Sequence, residues 1–203
     1  MEPIAIFTLL LVIVGAVQSW WMWRTVSDSK KALEQTQRAF VFVNSFVIDV
    51  EGDLVKFTPK WENSGTAPTR KMVNHTNWTA FEREPADDYV FSDLWAEGKS
   101  EGRTVNTPFF VGPKAITNGG TLEIPFEFIR RAAGGQVYLL IWGWTEYNDV
   151  FENTPRRRTE FCNQVIAKNI QVKDGKTNAT ITLPLNHRGN CTDEECRLAL
   201  SNR

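Results

Sequence analysis

The sequence predicts a mainly β protein: an N-terminal transmembrane helix and a polar spacer helix lead into an antiparallel β-sandwich. Three observations carry this expectation. No side chain between Glu2 and Arg24 is charged. After Ala39 the apolar residues recur every second position, the period at which a strand returns to the same face. The apolar runs are also short and separated by clusters of Gly, Pro, Asn and Asp, a pattern that suits two packed sheets.

Residues 1–24 are expected to form the anchor, meeting the lipid bilayer through residues 3–23. From Ile4 to Met22 the only polar side chains are Thr8, Gln18 and Ser19. A helix of this length rises roughly 30 Å, enough to cross the hydrocarbon core. Trp20, Trp21 and Trp23 then supply rings that favour the headgroup layer. A cleaved signal peptide is the competing reading, with small residues at Val14-Gly15-Ala16, as is a buried helix of a soluble fold. The signal reading lacks a basic leading segment, and the apolar run continues past the candidate cut. Arg24, Lys30, Lys31 and Arg38 all follow the span, and no Lys or Arg precedes it. That bias places the globular domain in the cytoplasm of a single-pass inner-membrane protein, with a periplasmic domain as the alternative.

Residues 25–39 form the spacer, polar and without Gly or Pro to stop a helix. Val26, Leu33 and Phe40 repeat every seven residues, but the positions between them are polar, so a solvated helix is preferred to a coiled coil.

Residues 40–185 make the sandwich. Val55, Phe57, Pro59 and Trp61 alternate with Lys56, Thr58, Lys60 and Glu62, and Leu122, Ile124, Phe126 and Phe128 alternate with Thr121, Glu123, Pro125 and Glu127. Both read as half-buried strands. Val137 to Trp144 is apolar on both faces and belongs in mid-sheet. Further strands are expected near residues 40–48, 72–81, 159–167 and 177–183, with no helix between them. Pro59 and Pro125 cannot donate to a ladder, so each is expected at an edge or a bulge. Residues 82–113 read as one long loop, pinned to the domain by Tyr89, Phe91, Leu94 and Trp95.

The turn Asn63-Ser64-Gly65-Thr66-Ala67-Pro68 resembles the N-x-G-x-x-P turn of bacterial immunoglobulin-like domains linked to membranes. Tyr147-Asn148-Asp149-Val150-Phe151 with Thr159-Glu160-Phe161-Cys162 resembles a hairpin of uncharacterised bacterial single-pass membrane proteins. Phe110-Val111-Gly112-Pro113 extends the likeness, while the insertion Asn153 to Arg158 and the cysteine-bearing tail depart from it. The resemblance implies an immunoglobulin-like sandwich behind a membrane anchor and assigns no catalytic residue.

A search for chemistry returns little. Lys and Arg number 23 against 24 Asp and Glu, so the phosphate-neutralising face of a nucleic-acid binder is not expected. His75 and His187 lack a nucleophile at a recognisable spacing, and no phosphate loop, zincin motif or dinucleotide fingerprint is present. No catalytic, cofactor-binding or metal site is therefore expected. His187, Cys191 and Cys196 are spaced unlike zinc ligands, Asp87, Asp88 and Asp93 suit a solvated turn, and Arg156-Arg157-Arg158 suits an exposed hairpin tip.

The tail, residues 186–203, carries the most specific local signal. Thr192-Asp193-Glu194-Glu195 reads as a capping box starting a helix at Asp193. Cys191 and Cys196 then meet as a staple, bridged in an oxidising space or packed as thiols in a reducing one. A protein-interaction or scaffolding module with an unknown protein partner follows from these readings. A membrane-tethered enzyme or small-molecule sensor is the alternative, with a pocket under the 82–113 loop framed by Trp78, Trp95, Trp142 or Trp144.

Overall fold

The computed structural model describes residues 3–86, 89, 91, 103–151, 154–173 and 176–196. Two units, Met1–Arg38 and Ala39–Arg203, separate along the chain.

The first unit is a single helix, α1 (Pro3–Thr36). Anchor and spacer are thus one continuous element, because nothing between the tryptophans and Thr36 interrupts the backbone hydrogen bonds. Within Ile6–Glu34 an 18-residue window reaches a mean hydropathy of 1.7, so by length and composition the helix could cross a membrane. Leu10, Ile13, Trp21 and Trp23 are exposed on it.

The second unit is mainly β and antiparallel throughout. One sheet holds β1 (Val41–Glu51), β2 (Leu54–Asn63), β5 (Ile116–Asn118) and β6 (Leu122–Pro125), with β2 in the middle. The other holds β3 (Arg70–Phe81), β4 (Arg103–Phe109), β7 (Tyr138–Asn148), β8 (Arg157–Gln164) and β11 (Cys191–Thr192) in the order β11-β8-β7-β3-β4. A separate hairpin pairs β9 (Ile166–Lys173) with β10 (Lys176–Thr182), and α2 (Phe126–Ala133) follows β6.

The two main sheets share one core. Val55, Phe57 and Trp61 from β2 are fully buried, as the period-two stripe predicts. They meet Leu139, Ile141 and Tyr147 of β7 and Phe161 of β8, and the Trp61 and Phe161 rings lie edge to face at 5.5 Å. β7 is central and buried on both faces, as the Val137 to Trp144 run predicts. A Cβ at Gly143 would collide with the His75 carbonyl and the Phe161 ring, so only glycine lets that ring cross the strand.

Four expectations are corrected. The strand expected through Phe128 ends at Pro125, and α2 begins there. Phe126, Ile129 and Ala132 recur at helical spacing, and about two turns of sequence cannot separate that period from alternation. Glu127 in the first turn and Arg130 and Arg131 in the last suit the helix dipole. Pro59 lies in the central strand rather than at an edge or bulge. Its carbonyl accepts from Gly119, and the amide side of a strand residue faces the same way as its carbonyl. The missing donor therefore falls at the end of β5, where Gly119 donates to Pro59 and the proline returns no bond. The 82–113 stretch is not one loop, because β4 forms within it and pairs with β3. Lastly, the tail is part of the domain: Asn186 and Cys196 are buried, and β11 joins β8.

Trp61→Ala should cost on the order of 3–5 kcal/mol, the range for emptying a large aromatic site in a rigid core. Urea unfolding of the two proteins measures it, and a difference within error would mean that the ring is not in the core.

Candidate functional site

Three places in the β unit bring side chains or backbone groups together. The first is a groove along β1. Among the described residues β1 pairs only with β2, and β10 only with β9. A cavity of about 330 Å³ is lined by Val43, Phe46 and Ile48 of β1, Ile181 of β10, Leu183 and Leu185 just beyond it, and Phe161 of β8. The Phe46 and Phe161 rings touch edge to face at 5.8 Å. Among the described residues, none that lines the groove is charged. Leu185 is 73% exposed, while Asn163 donates to the Leu183 carbonyl at 2.8 Å and holds that wall in place. The β1 register slips between Val43 and Ser45, a bulge on the open strand.

The second place is the arginine run, and here the expectation of a solvated hairpin tip is corrected. Arg157 and Arg158 begin β8, and Arg158 sits opposite Glu146 of β7. Arg158 donates to Glu146 at 2.9 Å and to Glu160 at 2.7 Å. Arg156 donates to Glu146 at 2.9 Å, and Arg157 to the fully buried Asp149 at 3.1 Å. The Arg158 guanidinium also lies 4.6 Å from the Trp144 ring centroid, and His75 stacks on the same indole at 5.8 Å. Nothing in the bare sequence aligns Glu146, Asp149 and Glu160 with the arginines. Only the hairpin register does that. Burial pushes the Glu146 carboxyl upward, but hydrogen bonds from Arg156 and Arg158 outweigh it and hold the group below the ordinary carboxylate range.

The third place surrounds the cysteines. Cys191 and Cys196 form a disulfide with their Cα atoms 5.2 Å apart, closing the pair whose state the sequence leaves open. The capping box itself is displaced. Thr192 belongs to β11 and Asp193 has a φ of 47°, so helical structure starts at Glu194, and Asp193 pairs with Arg157 instead. Cys162 is the free cysteine of the described residues and is fully buried. Burial pushes its thiol up to about 12, against the opposing effects of the Asn186 hydrogen bond and Arg188. His187 is not part of this group, since its Nδ1 lies 3.6 Å from Glu84.

A hollow of about 640 Å³ lies against Phe81 to Ala86 and Tyr89. Tyr89 and Phe91 pack onto Phe81 and Trp142, and Arg188 donates to the Pro85 carbonyl at 2.7 Å. Trp78 does not frame this hollow. It belongs to the inner face of its sheet, against Phe128 of α2, whereas Trp142 lies in a second apolar cluster with Phe91, Leu140 and Cys162. Asp87, Asp88, Asp93 and Trp95 lie outside the described residues.

Comparison with protein-family models, curated proteins and solved structures gave no match to this chain.

A carboxyl held down in the folded state stabilises the fold above its unfolded pKa of about 4.3 and loses that contribution as pH falls through the folded value. Glu146→Gln should therefore unfold at lower urea than wild type at pH 7, with the two curves converging toward pH 3. An unchanged gap at both pH values would remove the ion network from the account of stability.

Proposed function

We propose that this chain is a membrane-anchored, immunoglobulin-like β-sandwich that acts as a protein-interaction module, taking an extended segment of a partner along the β1 edge. The observation that carries the reading is the apolar groove lined by side chains of β1, a strand that pairs on one edge alone among the described residues. Unpaired backbone amides and carbonyls on such an edge supply affinity for an added strand, and side pockets for alternate residues supply selectivity. The bulge after Val43 twists the edge, a feature that natural proteins use against indiscriminate edge pairing. Binding rather than catalysis is thus the activity proposed, and the occupant is an uncharged stretch with apolar residues at alternate positions.

The exposed apolar side chains of α1 support its role as the anchor through residues 3–23, with Trp20, Trp21 and Trp23 at the headgroups and the Arg24 guanidinium 5.8 Å from the Trp20 ring. The basic residues after the span favour a cytoplasmic domain. In that compartment the disulfide meets reducing thiols, where such bonds are transient.

Two experiments address the proposal. A photo-crosslinking residue at position 44 should yield a discrete larger species in native membranes that is lost in Leu185→Asp, while the same group at position 123 yields none. Equal products at both positions would sink the groove reading. For the side of the membrane, all three cysteines of protein denatured directly from cells should label with a permeant thiol reagent without added reductant. Labelling of Cys162 alone would place the domain outside the cytoplasm.

A further inference from the structure

The disulfide has an acidic neighbour. Ligand atoms of Glu160, Cys191 and Cys196 all lie within 4.8 Å of one another. They come from β8, from β11 and from the helical residues that start at Glu194, so the fold rather than local sequence brings Glu160 to the cysteine pair. Glu160 has a side chain only 10% exposed, and one of its oxygens accepts from Arg158. Its second oxygen is left for another partner, since a carboxylate offers two. Cys196 is fully buried.

A structural staple needs no carboxylate beside it. Once the bond is open, the carboxylate opposes ionisation of both thiols unless a cation joins them. Two thiolates and the Glu160 carboxylate would then gather at one place beside Arg158, a guanidinium shared with Glu146, and a divalent ion offsets that charge. Two thiolates and one carboxylate suit a borderline-soft ion of the zinc kind and are a poor match for magnesium or calcium, which take oxygen ligands throughout. Zinc–sulfur distances of about 2.3 Å require the two sulfurs to part to roughly 3.8 Å, a small movement for side chains on a short turn.

We propose that the reduced form of this chain holds one zinc-like divalent cation on Cys191, Cys196 and Glu160, with the fourth tetrahedral position open to water. The disulfide and the metal are alternative closures of the same turn. A dithiol reductant donates two electrons to the Cys191–Cys196 bond, becoming a disulfide itself, and its two protons give the free thiols. Those two protons leave when the cation binds, so uptake is favoured by rising pH. The tail stays fastened to β8 in both states. The proposal does not depend on the groove or on the side of the membrane.

The test uses the full chain in detergent, either oxidised or reduced and desalted without oxygen, titrated with Co²⁺ and then Zn²⁺. The reduced chain should take up one cobalt with a near-ultraviolet thiolate-to-metal absorption that zinc displaces, and the oxidised chain none. Glu160→Gln, which can still form the disulfide, should weaken cobalt binding about tenfold or more, the scale on which even outer partners of a metal act. The reduced Cys191→Ser/Cys196→Ser protein should lose the absorption. No cobalt absorption in the reduced chain, uptake that persists without the two cysteines, or unchanged affinity in Glu160→Gln would each overturn the proposal.

Discussion

The carboxamide of Asn63 is the interaction on which the assembly of the β unit depends. Its oxygen accepts from the amides of Phe40 and Gly65 at 3.1 and 3.0 Å, and its nitrogen donates to the carbonyls of Ala67, Gly112 and Val111 at 2.8, 3.1 and 3.3 Å. Its own backbone pairs with Ala115 and Lys114. One fully buried side chain thus joins the start of the domain, the turn into β3 and the approach to β5. Apolar contacts could hold the sheets together without fixing their register. Several buried backbone groups that depend on one amide fix it, because leaving any of them unpaired costs about 1–3 kcal/mol.

A second set of contacts secures the same corner. Asp149 accepts from the Ala39 amide at 3.0 Å while its other oxygen takes Arg157, and the Tyr147 hydroxyl accepts from Val41 at 3.2 Å. The first residues of the domain are therefore pinned to the end of β7. Arg157 then reaches Asp193 beyond β11, so one guanidinium ties the beginning of the domain to its tail.

What could be read from the sequence followed the range of the forces involved. The apolar helix of α1 and the Val55 to Trp61 stripe depend on hydropathy along a short stretch of chain, and both elements form where the pattern puts them. Phe126 to Phe128 did not, because a short apolar run fits both periods and α2 was chosen by packing against the core. The turn at Asn63 was legible as a motif, yet its hub role was not, since the partners lie dozens of residues away. The same holds for the arginine run, whose partners are set by register, and for the groove, whose lining comes from segments far apart in the chain. Glu160 carries no signal of its own as a companion of the cysteines. Recognising it required β8 and β11 to be side by side.

The shielding of Cys162 also governs the sulfur chemistry of the whole chain. Gly189, at a φ of 76°, lays the 186–190 segment so close that a Cβ there would come within 2.8 Å of Cys162 and 3.1 Å of Phe91. With the thiol near pKa 12, only roughly one molecule in a hundred thousand carries the thiolate at pH 7, and disulfide exchange needs that thiolate as its nucleophile. Three cysteines allow three pairings on paper. Once the 186–190 segment and Phe91 have closed over Cys162, two of those pairings lose their reactant, and the folded domain becomes its own proofreader of oxidation.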